Sequence, residues 1–233
     1  KNIFYSMVTV QINEVDYPLP LYFSVDQWVE LVKWDLDEPK NWTKVLSVST
    51  GCPLFDISDT PVDGMQLAMA FVVSGLKRRK ECKHNSFSDL SFGQWVDLDV
   101  YLSLGVDKYL KEITNILVPE AKDAAEALWV LDNFINFRKY IYREYKELFG
   151  TPDEDEPLND DGSVDKPDGM QVARNWYKII VRLSGDDILK MDAVTEQPLK
   201  KVFNFMALQK EETLELQRQQ RQQQREYDLQ RNR

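Results

Sequence analysis

The feature that most constrains this chain is a repeated helix start. Ser24-Val25-Asp26-Gln27-Trp28-Val29-Glu30-Leu31 returns as Ser91-Phe92-Gly93-Gln94-Trp95-Val96-Asp97-Leu98. In both copies a serine stands three residues ahead of a glutamine. At that spacing a hydroxyl and a side-chain amide can each satisfy the other's backbone N–H. A second pair, Asp63-Gly64-Met65-Gln66-Leu67-Ala68 and Asp168-Gly169-Met170-Gln171-Val172-Ala173, also reads as a helix start. Both repeats place apolar residues directly behind polar caps, so they describe packing rather than chemistry.

Two small cores or one larger one fit within 233 residues. Six tryptophans and a 43% hydrophobic content point to a folded chain, with the tryptophans as core or subunit-contact residues. No stretch approaches the roughly 20 apolar residues of a membrane helix, and the start has no signal-peptide pattern, so no membrane partner is expected. Cys52 and Cys82 are too few for a disulfide framework, which fits a reducing compartment.

Residues 3–12 are β-prone, with Val8, Val10 and Ile12 alternating. A turn over 13–16 leads to a second run at 17–23 that Pro18 and Pro20 confine to an edge or an extended arm. Helices are predicted over 24–35, 41–50, 60–74, 91–104, 107–117, 119–149 and 169–184, and a last one starts near Gln197-Pro198 and runs to the end. The expected fold is therefore mainly α with a small N-terminal β-hairpin, an irregular helical domain and a long C-terminal helix. Read along the chain it has three parts: residues 1–118, residues 119–194 with an acidic loop at 151–168, and residues 195–233.

Chemical motifs are scarce. Asn159, Asp161, Gly162, Asp165 and Asp168 fall at positions of a calcium loop, but Pro157 occupies the place of the first acidic ligand, so a solvated acidic loop is the better reading. Cys82 and His84 offer two soft ligands where a structural zinc needs four. His84 is the sole histidine and lies in a lysine-rich loop, which leaves no evident triad. Asp97 and Asp99 read as the polar side of a helix, and Lys77-Arg78-Arg79-Lys80 as a solvated basic loop. There is no P-loop and no dinucleotide fingerprint. The chain is expected to be non-enzymatic, with no catalytic residues, no metal and no cofactor.

The C-terminus stands apart. The formal net charge is −10, yet five arginines lie between Gln217 and Arg233 against Glu226 and Asp228, while eight acids crowd 153–168. Leu199, Val202, Phe203, Phe205, Met206 and Leu208 are apolar enough for burial almost all round, whereas 217–224 contains only glutamine and arginine. A helix polar on every side gains little from packing and is marginal alone, so contact with another molecule is expected. The candidate partner-binding residues are Leu214, Leu216, Arg218, Arg221, Arg225, Tyr227 and Leu229. Arg218, Arg221 and Arg225 share one helix face, which suits an acidic protein surface or nucleic-acid phosphates. Protein is favoured because the remainder of the chain is acidic and repels phosphate.

The β arm with Tyr17-Pro18-Leu19-Pro20, the Ser24–Leu31 unit, the Phe92–Leu98 unit and the Pro198–Leu216 helix together resemble small structural and assembly proteins of tailed bacteriophages, including crAss-like phages. The resemblance implies a virion structural protein in several copies in the capsid–portal–tail region. Its partners would be other virion proteins and copies of itself, and it would reside in host cytoplasm during assembly. Two alternatives are a tail assembly chaperone absent from the mature particle and a nucleic-acid-binding adaptor that uses the arginine stripe. An enzyme of unfamiliar type ranks behind these.

Overall fold

A computed structural model describes residues 8–58, 60, 62–150 and 168–231. Of the described residues 71% are helical, with one antiparallel hairpin early in the chain and a long helix late in it, as the sequence predicts. β1 (Val8–Ile12) pairs with β2 (Val15–Leu19), Val8 opposite Leu19 and Ile12 opposite Val15. Asn13 and Glu14 form a two-residue turn, both at positive φ, the twist that matches a tight hairpin. The turn is thus two residues shorter than predicted.

The helices are α1 (Val25–Leu31), α2 (Pro39–Thr50), α3 (Leu54–Ser58), α4 (Val62–Leu76), α5 (Phe92–Leu104), α6 (Val106–Leu117), α7 (Ala124–Glu144), α8 (Lys146–Phe149), α9 (Gly169–Leu183), α10 (Met191–Thr195) and α11 (Leu199–Arg231). Both copies of the serine–glutamine unit form reciprocal caps. Gln27 N–H donates to Ser24 Oγ at 3.1 Å and Ser24 N–H to Gln27 Oε1 at 3.1 Å; the bonds between Ser91 and Gln94 are 3.1 and 3.0 Å. Asp168 caps α9 through the Met170 N–H. The rest of the proposed calcium loop lies outside the described residues.

Several boundaries depart from the sequence reading. α1 stops at Leu31, and Pro39 opens α2 at its first turn instead of merely ending the helix before it. Gly51, at φ 74°, ends α2 in the left-handed conformation. The helix expected over 119–149 starts at Ala124, behind Asp123, whose carboxylate accepts from Glu126 N–H at 2.9 Å, and it breaks at Tyr145. Tyr145 is buried, and its hydroxyl donates to Asn204 Oδ1 at 2.7 Å. A side chain committed to α11 in this way leaves the regular helical path, and periodicity carries no information about such a commitment.

The chain divides into two units, each assembled from two stretches: residues up to Asn85 with Tyr101–Phe134, and Ser86–Val100 with Ile135 onward. A sequence-based division into consecutive stretches orders segments but carries no information on which of them turn back on one another. The first unit buries Ile12, Leu19 and Phe23 from the hairpin arm against Leu31, Leu46, Ile57 and Val72. In it Trp28 Nε1 donates to Leu76 O at 3.1 Å. The second unit is an aromatic core, and Phe203 of α11 lies within 6.5 Å, centroid to centroid, of Phe92, Trp95, Tyr145, Phe149 and Trp176.

α4 runs to Leu76 and so includes Gly75, which the sequence reading had set behind a helix ending at Ser74. A Cβ built at Gly75 would come within 2.8 Å of the buried Phe23 ring, whereas one at Gly64, in the first turn of the same helix, meets nothing closer than 4.0 Å. Gly64→Ala should therefore raise stability by about 0.5–1 kcal/mol, the ordinary helical gain, while Gly75→Ala should lower it by about 1–3 kcal/mol as an overpacked site does. Urea unfolding of the two variants separates them, and a Gly75→Ala protein at least as stable as wild type would contradict the close approach.

Candidate functional site

Two features stand out as candidate chemistry: a buried carboxylate in the second unit and the exposed length of α11. The carboxylate is Asp99. The sequence reading placed it on the polar side of a helix, but only its neighbour Asp97 is exposed; Asp99 is 4% exposed. Arg138 reaches Asp99 Oδ1 with Nε at 2.7 Å and Nη2 at 2.6 Å, Tyr142 donates to the same oxygen at 3.2 Å, and Trp176 Nε1 donates to Oδ2 at 2.7 Å. Arg138 Nη2 also donates to the Tyr142 hydroxyl at 2.9 Å.

Burial, reinforced by the adjacent Asp99 carboxylate, pushes the Tyr142 phenol well above its ordinary range, so it remains a donor. The four side chains bond to one another, which ties α5, α7 and α9 together. A carboxylate engaged on both oxygens by its own chain is built to hold helices, not to accept a substrate's proton.

The basic cluster behaves similarly. In place of a solvated loop, Lys80 Nζ lies 2.7 Å from Glu126 and 3.2 Å from Asp123, the cap of α7, and Arg79 Nε lies 2.6 Å from Asp132. Burial works to raise the Glu126 carboxyl, but the Lys122 N–H and the Lys80 ammonium overcome it and leave the group below its usual value. His84 packs on Trp129 with ring centroids 5.8 Å apart, and Cys52 and Cys82 are both free thiols. Among the described residues no three metal-ligating side chains gather in one place, and no helix is long and apolar enough to cross a membrane.

α11 begins as a core helix. Leu199 and Phe203 are fully buried and Val202 nearly so, but Phe205 and Leu208, expected inside, are exposed because the core reaches only one face of this helix. Its entry is fixed by a short bridge in which Phe92 N–H donates to Gln197 O at 2.8 Å and Leu199 N–H to Leu90 O at 3.1 Å. Lys210 Nζ donates to Glu147 O, a last tie between α11 and the aromatic core. From Leu208 to Arg225 every residue is exposed, a run of about 27 Å at 1.5 Å per residue.

Five of the seven residues proposed for partner contact, Leu214, Leu216, Arg218, Arg221 and Arg225, lie on this exposed run. Tyr227 and Leu229 continue the same helix, but their side chains are outside the described residues. A shallow groove runs beside it, lined by Glu147, Ala207, Glu211, Leu214, Arg218 and Gln222 among others. Ala207, Glu211 and Glu147 were absent from the sequence reading. The two on α11 were legible in principle, since Ala207, Glu211, Leu214, Arg218, Arg221 and Arg225 alternate at four and three residues.

Removing the Asp99 carboxylate should leave Arg138 and the Trp176 indole N–H without their acceptor. Asp99→Ala is expected to lose about 3 kcal/mol, the low end for a broken buried pair because Arg138 keeps some exposure, and Trp176→Phe about 1.5 kcal/mol or more for a bond to a charged acceptor. Chemical denaturation reads both, and a near-neutral Asp99→Ala would refute the role of this group. For Glu126, a lowered folded value means its stabilisation is complete above the ordinary carboxyl range and disappears as pH falls through the folded value. Wild type should accordingly lose more stability than Glu126→Gln on acidification through that window, and parallel curves would show that the Lys80 contact contributes nothing. Compared with known proteins, the chain matches no family model, no curated protein and no solved structure.

Proposed function

We propose that this chain is a non-enzymatic structural subunit that joins an assembly through the exposed run of α11, and that the assembly is the virion of a tailed bacteriophage. The observation that carries the assembly role is the contrast within one helix. Its first two turns are locked by Phe203 and by the bridge at Leu199, and its next five turns bury nothing. A helix gains its stability from packing an apolar face, and one rich in glutamine and arginine offers that gain only against a partner.

The buried titratable groups support a non-catalytic reading, since Asp99, Arg138 and Tyr142 are occupied with one another. The assignment to a phage particle is supported by the resemblance in the hairpin arm, the repeated capped units and the last helix.

The nucleic-acid reading keeps one specific support: Arg218, Arg221 and Arg225 are exposed, and none is in an ion pair among the described residues. It predicts DNA binding that falls steeply with salt and is lost on replacing the three arginines by alanine. The assembly reading predicts instead that purified full-length protein forms oligomers in analytical ultracentrifugation and that a chain ending at Gln209 does not. Mass spectrometry of purified particles should find the protein in stoichiometric copies. A monomer at every concentration, together with absence from particles, would overturn the proposal, whereas presence in infected cells alone would favour the chaperone alternative.

A further inference from the structure

We infer that the partner of α11 is the same helix of a second copy, packed antiparallel about a two-fold axis at Arg218. The inference rests on the assembly reading above and adds to it the partner, the direction and the register.

The argument starts from the order of charge along one face. Residues 207, 211, 214, 218, 221 and 225 repeat at four and three, so they form a single seam along the helix, and the shallow groove beside Glu147 opens on its first half. The seam is acidic first and basic last. Glu211, with Glu215 one turn on, precedes Arg218, Arg221 and Arg225, and all five are exposed. Most of the opposite side is glutamine and carries no such order. A face whose charge changes sign along its length is complementary to itself only when reversed. Parallel copies would set glutamate against glutamate and arginine against arginine, which is unfavourable.

Reversal also selects the register. With the axis at Arg218, each residue faces the one whose number brings their sum to 436, twice that of Arg218. Glu211 then faces Arg225 within the seam, and Glu215 and Gln222, on its flank, come level with the partner's Arg221 and Leu214 within reach of their side chains. Two-fold symmetry repeats both ion pairs, so four form. The two Arg218 side chains meet at the axis with Glu215 of each copy one turn away. Displacing the axis by one residue in either direction sets glutamine opposite Glu211 or Glu215 and loses the pairing. The same register carries Leu229 to a position opposite Ala207, one residue from the exposed Leu208, so the helix end lies alongside the base of its partner. The contact is isologous and closed, and it leaves the glutamine side open to further neighbours.

Such a seam is polar and solvent-exposed, so each pair is weak and the association depends on several acting together and on low salt. The test is a charge swap in the full-length protein, read by sedimentation equilibrium. E211R/E215R and R221E/R225E should each weaken self-association by roughly tenfold or more, with four attractions turned into repulsions. A mixture of the two variants should associate, and the chain carrying all four substitutions should regain wild-type association. Thermal melting of the aromatic core, read by tryptophan fluorescence, should be unchanged, because every substituted residue is exposed and outside that core.

Cross-linking fixes direction. Leu214→Cys protein mixed with Gln222→Cys protein should form a disulfide between unlike chains, and Leu214→Cys alone should not. Homotypic Leu214→Cys cross-links, or oligomers indifferent to the charge swaps, would overturn the antiparallel pair while leaving the assembly reading in place. A wild-type chain that stays monomeric, indistinguishable from one ending at Gln209, would remove both.

Discussion

The second unit depends on a single carboxylate. Asp99 is enclosed and shared by three helices through Arg138, Tyr142 and Trp176. Burying a carboxylate is costly unless its oxygens are satisfied, and here each oxygen meets a donor at or near ideal distance. The geometry of those donors leaves one arrangement of α5, α7 and α9, because guanidinium and indole donors are directional in a way that apolar contacts are not. Phe92, Trp95 and Trp176 then present their rings as a fixed socket, and Phe203 is the residue that fills it.

That socket determines what α11 can do. With Phe203 enclosed by five aromatic rings and Leu199 held in the backbone bridge, the helix leaves the core in a set direction, and the Lys210 tie to Glu147 extends the support by a further turn. Beyond it the side chains are exposed and mostly polar, with the charges ordered along one face. An anchored base with an exposed end is a suitable geometry for a contact element. Rotational freedom is removed before a partner arrives, so little ordering entropy remains to oppose association. The charge order on the seam then supplies direction rather than strength, the usual contribution of polar contacts between helices.

The first unit rests on different devices, an apolar core under the hairpin arm and the close approach of Gly75 to Phe23. The basic cluster at 77–80 shows how a motif changes meaning once it is placed. Lys80 closes the cap of α7 by bonding both Asp123 and Glu126 and Arg79 pairs with Asp132, so two charges expected in a solvated loop are engaged within the chain. The Asp123–Glu126 spacing was legible as a helix start, and it places the helix five residues after Pro119.

The sequence by itself determined the local features: two serine–glutamine caps, the hairpin, the stop at Gly51, and an apolar helix base that turns to glutamine and arginine. Each follows from residues close in sequence, within four for the caps and the helix stop and within eleven for the hairpin, where backbone hydrogen bonding and side-chain spacing are decided. Tertiary structure alone decided that Asp99 is buried, that α7 breaks at Tyr145, that Gly75 belongs inside its helix, and that the chain folds as two interleaved units. Those outcomes depend on partners 39 to 77 residues away for Asp99, 59 for Tyr145 and 52 for Gly75. A pattern of polar and apolar residues records which side chains prefer burial, but not which distant donor will reach a given carboxylate.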